Sequence, residues 1–439
     1  MARRETSLNL LLLVISVICA LVVSEVVLRA LSHKDIDGNV YIGKLRLRPF
    51  FLPVKSLVSK SQEFYGKRRP YNQYDPDLGW SVRPNSQSEN GLYASNAAGV
   101  RVAQVGQEIT QEAPPAIFRI AILGDSFTHG DDVPFEVSWG AILENSLNRN
   151  GIKAEVLNLG GQGYGIDQAF LRWKKHGKLL KPHLVLFGFQ HSNIKRNMNI
   201  IRMFYSPDSD VIFSKPRFIL SPVDTLNLLN TPTVKPEDII TIYSDFDQWP
   251  LKPYELFYQE DDYKMSPWYA SRLVAFIISG LTNNFSSRRK DYDFFADESP
   301  SRRLTEEIIE EFEREVLEEQ SRFIIVHLPT KSSLQNLLNG EPLKYQKLLD
   351  DLSSKYDLID PAFGLIAQTK EDSLEGLFAK NSSHYSLIAN GVVGEWIATA
   401  LLNHNKLRMF CCENESEAFP SSGVLPENSR HNRKTSPIP

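Results

Sequence analysis

From residue 117 onward the chain alternates short apolar runs with segments whose apolar residues recur at helical spacing. Phe118 to Leu123 is nearly all apolar and ends in a glycine, the pattern of a strand buried on both faces. A helical pattern follows through Trp139, Leu143 and Leu147, with Gly151 placed to end it. A second strand is predicted at Ala154 to Leu159, then a glycine-rich turn, then a helix carrying Ile166, Phe170, Leu171 and Trp173. Pro182 opens a third, Leu184 to Phe187. After residue 300 the rhythm resumes. Ile308, Ile309, Phe312 and Val316 mark one face of an acidic helix. Phe323 to Leu328 reads as a strand, Asp357 to Ile359 as a weaker one, and Ile388 to Leu402 as a closing helix. Strands and helices alternating in this way predict an α/β domain, a parallel sheet covered on both faces, with ligand sites at the strands' carboxyl edge.

The flanking segments break this pattern. Ser7 to Leu28 is apolar with one charge, Glu25, and follows Arg3 and Arg4. As a helix rising about 1.5 Å per residue it reaches roughly 33 Å, enough to cross a bilayer. Glu25 sits one turn below Arg29 and can pair with it. The preceding arginines predict a cytoplasmic N-terminus and a single-pass anchor, with the rest of the chain on the extracytoplasmic side. No small-residue cleavage site is evident, so the anchor is expected to stay uncleaved. The predicted organisation is an anchor at 1–35, a lead-in at 36–115 packing on the main domain, the α/β domain itself at 116–403, and a disordered tail at 404–439. In the lead-in, Asp75-Pro76-Asp77-Leu78-Gly79-Trp80 reads as a turn followed by a short buried edge. The stretch from about 195 to 300 is rich in aromatics, among them Trp249, Tyr254, Phe257, Tyr258, Trp268 and Tyr269. It is too long to be structureless and is expected to be an insertion forming a lid over the cleft.

Composition narrows the function. The 439 residues are 42% hydrophobic and 23% charged, as in a globular protein, with a net charge of −4. Basic residues are scattered, with only short runs such as Arg288-Arg289-Lys290, so no nucleic-acid partner is expected. Three cysteines, Cys19, Cys411 and Cys412, cannot form a disulfide framework. No metal-ligand spacing, phosphate loop or full dinucleotide fingerprint is present, and no metal or cofactor is expected.

Candidate chemistry begins at Gly124-Asp125-Ser126, directly after the first predicted strand and before a helix. A serine there lies at the sheet's carboxyl edge, near a helix N-terminus whose free amides stabilise negative charge. A helix cap would have the same residue types. Asp125 reads as a turn-stabilising carboxylate, and Asp131-Asp132 as a solvated turn. His129 and His191 stand near the same edge and read as solvated or structurally bonded side chains.

Four blocks in order resemble those of the SGNH (GDSL-type) hydrolases. Ile122-Leu123-Gly124-Asp125-Ser126-Phe127-Thr128-His129-Gly130 is similar to the block holding the nucleophile. Asn158-Leu159-Gly160-Gly161-Gln162-Gly163-Tyr164-Gly165 is similar to the glycine block, and Gly188-Phe189-Gln190-His191-Ser192-Asn193 to the asparagine block. Ser383-His384-Tyr385-Ser386 is similar to the block with the catalytic histidine. The resemblance covers about 115 to 403 apart from the insertion. It implies a three-layer α/β/α flavodoxin-like parallel sheet, Ser126 as nucleophile and His384 as its general base. The oxyanion hole would be the N–H groups of Ser126 and Gly163 and the side-chain amide of Asn193.

The sequence departs from the family pattern at the acid. The last block usually carries an aspartate three residues before the histidine, and here that residue is Asn381. Asn381 is the expected partner of the imidazole, accepting its proton-bearing nitrogen without supplying charge. A backbone carbonyl, or a carboxylate such as Asp372 or Glu375, is the alternative. The expected function is a serine esterase acting on O-acyl esters of a small molecule or a polysaccharide, envelope or exported acetyl groups among them. The alternatives are a polysaccharide O-acetyltransferase, using a sugar hydroxyl in place of water, and a non-catalytic binding protein of the same fold.

Overall fold

The computed structural model describes residues 2–66, 70–207, 209–283 and 292–403. The predicted tail, its two cysteines and the Arg288-Arg289-Lys290 run lie outside these residues. A seven-stranded sheet runs in the order Leu358–Ile359, Arg322–His327, Leu184–Phe189, Phe118–Gly124, Ala154–Asn158, Arg101–Val102, Ala94–Ser95. The first five are parallel. In chain order they lie 2-1-3-4-5, the flavodoxin-like arrangement.

Alternating residues of the central strands face opposite layers, as the period of two demands. Ala121, Leu123, Val185 and Phe187 pack with Phe170, Trp173, Ile308 and Phe312 of the helices on one face. Ile120, Ile122, Leu184 and Leu186 pack with Trp139, Leu143, Val393 and Ile397 on the other. The three-layer α/β/α architecture follows from these two cores.

The lead-in is more than a cover. Its strands Ala94–Ser95 and Arg101–Val102 extend the sheet, Arg101 pairing antiparallel with Asn158. Its hairpin, Asn72–Asp75 with Gly79–Val82, lies against the glycine-rich loop after the second parallel strand. There Trp80 Nε1 donates to Gln162 O at 2.8 Å, and Tyr164 Oη donates to Trp80 O at 2.7 Å.

The start of the insertion, at Arg196 and Arg202, reaches the glycine-rich loop after the second parallel strand. The insertion folds into a hairpin, Arg217–Leu220 with Leu226–Leu229, and helices including Pro236–Ser244 and Arg272–Asn283. Phe204, Phe246, Tyr258 and Tyr263 form an aromatic cluster that reaches Phe50 of the lead-in. Helix Arg272–Asn283 packs against the strands near residue 40 and against the N-terminal helix. These contacts carry the insertion's bulk toward the N-terminal helix.

The N-terminal helix spans Ala2–Leu31, and its stretch Leu8–Leu31 is long and apolar enough to cross a membrane. Glu25 and Arg29 pair at 2.7 Å.

Candidate active site

Ser126 opens a short helix, Ser126–His129, immediately after the strand Phe118–Gly124. Asp125 caps it, its Oδ1 accepting from Phe127 N at 2.9 Å. As the first helical residue, Ser126 has an N–H with no intrahelical acceptor. The turn is tight because Gly124 faces Gly188 across the sheet, where a Cβ on Gly124 would stand 2.8 Å from Gly188 O.

Ser126 Oγ lies 2.9 Å from His384 Nε2. The imidazole precedes the closing helix Leu387–Asn403 and packs edge-on against Phe127, ring centroids 5.5 Å apart. Its other nitrogen, Nδ1, lies 2.7 Å from Asp132 Oδ2. Ser382 Oγ donates to the same carboxylate oxygen at 2.6 Å. The expectation that Asn381 orients the ring is therefore corrected. Asn381 is exposed, on a left-handed residue with φ 60°, while Asp132 occupies the position beside Nδ1.

The reading of Asp131-Asp132 as a solvated turn is corrected too. Gly130 N and Asp131 N both donate to Ser126 O, at 2.9 and 3.0 Å, closing the helix on a left-handed Gly130 with φ 81°. Asp132 is left-handed as well, with φ 67°, and its N–H donates to Tyr93 Oη at 2.8 Å. This double reversal brings the Asp132 carboxylate to the histidine. Non-glycine residues hold such backbone only when the surroundings enforce it.

Asp131 is buried beneath this turn. Its Oδ1 lies 2.6 Å from His129 Nδ1, and its Oδ2 accepts from Gln162 Nε2 at 3.0 Å. The far nitrogen of His129 lies 3.0 Å from Tyr71 Oη. Burial alone would raise the Asp131 pKa, but the His129 hydrogen bond and the charges of His129 and His384 outweigh it, and the carboxyl stays below its ordinary value. Burial holds the His129 imidazole below its ordinary pKa despite Asp131. His129 is thus structurally bonded. So is Asp125.

A residue that sequence reading missed, Arg196, bonds to Asn193 and to neighbours of the other two oxyanion candidates. Arg196 Nη1 donates to Asn193 Oδ1 at 2.8 Å, to Tyr164 O at 2.8 Å and to Asp125 Oδ2 at 3.0 Å. One guanidinium nitrogen thereby ties Asn193 to the residue before Ser126 and the residue after Gly163. A guanidinium only donates, so the carboxamide must turn its oxygen to Arg196 and keep Nδ2 for another acceptor. Gly163 is left-handed with φ 72°, and its N–H enters none of the described hydrogen bonds. Its neighbours are Trp80 and the buried Arg202, whose Nη2 would lie 3.3 Å from a Cβ there. Arg196 follows Asn193 by one helical step of three, the spacing that places two side chains on one face and could have flagged it. Asp132 offered no comparable signal.

His191 stands apart from this cluster, stacked on Tyr345 with centroids 4.4 Å apart and interplanar angle 9°. Asp372 and Glu375 have other partners, Gln368 and Lys331. Among the described residues no group of three or more His, Cys, Asp or Glu is placed to hold a metal ion.

No family model matches the sequence, and no curated protein matches it either. The solved structures that the chain matches include G-D-S-L-type lipolytic proteins and an acetyl xylan esterase. A lipase/acylhydrolase from Enterococcus faecalis is 13% identical, with a TM-score of 0.32 over 64% of this chain and 94% of that one. A member of the lipolytic protein G-D-S-L family from Veillonella parvula is 11% identical, with a TM-score of 0.31 over 66% and 100%. The acetyl xylan esterase AlAXEase is 12% identical, with a TM-score of 0.33 over 64% and 99%.

Proposed function

We propose that the protein is an SGNH-type serine ester hydrolase held at a membrane by its N-terminal helix, with its catalytic domain on the extracytoplasmic side. The observation that carries this reading is the line from Ser126 Oγ through His384 to Asp132, with contacts of 2.9 and 2.7 Å. Asp132 holds the Nδ1–H tautomer and stabilises the imidazolium that forms, leaving Nε2 to take the serine proton. Ser126 Oγ then bonds to the ester carbonyl carbon. The N–H groups of Ser126 and Gly163 and the Asn193 amide stabilise the resulting oxyanion. His384 returns the proton to the departing alcohol, leaving an acyl-Ser126 ester. Water, deprotonated by the same imidazole, releases the acid and restores the serine.

The substrate is an O-acyl ester, and acetyl esters on envelope or exported polysaccharide fit the membrane location. Asn381 at the usual acid position favoured a non-catalytic role, and the Asp132 carboxylate beside His384 Nδ1 supports the catalytic reading over it.

A serine-directed fluorophosphonate is expected to label the wild-type protein but not Ser126→Ala. Acetate release from p-nitrophenyl acetate and acetylated xylan should follow the same pattern. Well-folded protein that takes no label and releases no acid would end the proposal. Acetyl transfer to an added oligosaccharide in preference to water would assign it to acyl transfer instead.

A further inference from the structure

Glu25 lies in the last third of an apolar stretch, Leu8–Leu31, and needs explaining. At about 1.5 Å per residue that stretch covers roughly 36 Å, against about 30 Å of hydrocarbon. Glu25 is then within about 9 Å of its outer end, at or just below the lipid interface. A carboxylate at that depth is costly unless it is paired and its oxygens are hydrogen-bonded.

The structure supplies those partners, mostly from one place. Besides Arg29, the Glu25 oxygens accept from Ser271 Oγ at 2.8 Å, Arg272 N at 2.9 Å and Leu273 N at 2.8 Å. Arg29 Nη2 donates to Ala270 O at 2.8 Å. The first turn of the insertion helix Arg272–Asn283 is therefore fixed at the depth of Glu25. One side of this helix, at Ala275 and Phe276, packs with Val40 and Leu47. Ile277 and Leu281 are 49% and 63% exposed, and Met265 and Trp268 just before the helix are 72% and 73% exposed. Apolar side chains bared beside a bare membrane-spanning helix, with a tryptophan at the boundary, match an interfacial helix. Twelve residues are too few to span.

We infer that helix Arg272–Asn283 lies in the membrane interface beside the N-terminal span, so that the insertion seats the hydrolase body on the lipid surface. The inference rests on the reading that Leu8–Leu31 crosses a bilayer. The occupant of the exposed face is lipid, because that face continues from the span itself.

The test uses the full chain carrying Cys19→Ala, Cys411→Ser and Cys412→Ser, in phosphatidylcholine–phosphatidylglycerol nanodiscs. An environment-sensitive fluorophore is attached at Val14→Cys or at Leu281→Cys, with and without doxyl-labelled lipid. Loss of emission at both positions on adding doxyl lipid is expected. Quenching at 14 with water-like emission at 281 would overturn the inference and leave the span intact. Blue-shifted but unquenched emission at 281 would also overturn it, by placing protein on that face. Absence of quenching at 14 would defeat the spanning reading and this inference together.

Discussion

Asp132 Oδ2 and His384 Nδ1 lie 2.7 Å apart across 252 positions of chain, and the same turn that carries Asp132 carries Ser126 six residues earlier. Ser126 O accepts from both Gly130 and Asp131, so Ser126 and Asp132 are held by one short loop and His384 arrives from elsewhere in the chain. The base is seated by Phe127 and by Ser382, whose Oγ accepts from His384 N at 3.2 Å.

Replacing the acid tests that arrangement. Asp132→Asn is expected to lower kcat by about 10²- to 10⁴-fold with little change in KM, the range for a lost acid–base partner. The lower part of that range is favoured because the Asp132 side chain is 42% exposed and water screens its charge. Asn381→Ala should leave kcat unchanged. Steady-state hydrolysis of a model ester compares the two, and the reverse ranking would restore Asn381 as the orienting residue.

Arg196 is expected to act through Asn193. Asn193→Ala should lower kcat by about 10²- to 10³-fold, as for a lost oxyanion donor. Arg196→Met frees the carboxamide to turn and should also lower kcat. If both changes disable one donor, the double variant will lose less than the product of the two single losses. A double-mutant cycle on kcat reads this, and simple additivity would make Arg196 a stability residue only.

Lys215 and Asp167 form a fully buried ion pair beneath the glycine-rich loop. Lys215→Met leaves Asp167 buried without its cation, an expected loss of about 3–5 kcal/mol. Lys215→Met with Asp167→Leu should recover most of that, since the desolvation of both charges disappears. Urea unfolding of the three proteins gives the comparison. A double variant as unstable as the single would show that shape rather than charge matters there.

His191 predicts an acid-side weakening of the fold. Burial, then the charge of His327, hold its pKa down to about 3. Below the ordinary histidine value of about 6.5 the unfolded chain gains a proton that the folded chain refuses. Stability from this group is therefore intact above about pH 6.5 and falls with decreasing pH until about pH 3, by on the order of 1–2 kcal/mol at pH 5. His191→Phe keeps a ring on Tyr345 and removes Nδ1, a buried atom without a hydrogen-bond partner among the described residues. The variant should lose less stability than the wild type between pH 7 and pH 5 in thermal unfolding. Parallel pH curves would place the sensitivity elsewhere, His176 being the next candidate with a pKa also near 3.

The sequence by itself determined the layered domain, because buried strands and amphipathic helices write their periods directly into neighbouring residues. Phe118 to Leu123 and Ile308 to Val316 are legible for that reason, and so is the helix able to cross a bilayer. The positions of Ser126 and His384 were readable from local motifs at element boundaries. What only the tertiary structure decided were relations between loops distant in sequence. Asp132 looked like a surface turn because its left-handed backbone, that of Gly130 and its distance from His384 leave no periodic trace. Arg196 joins three loops at a single nitrogen. The insertion's aromatics carry no address in their composition, and the Glu25 hydrogen bonds tie its helix Arg272–Asn283 to the N-terminal helix.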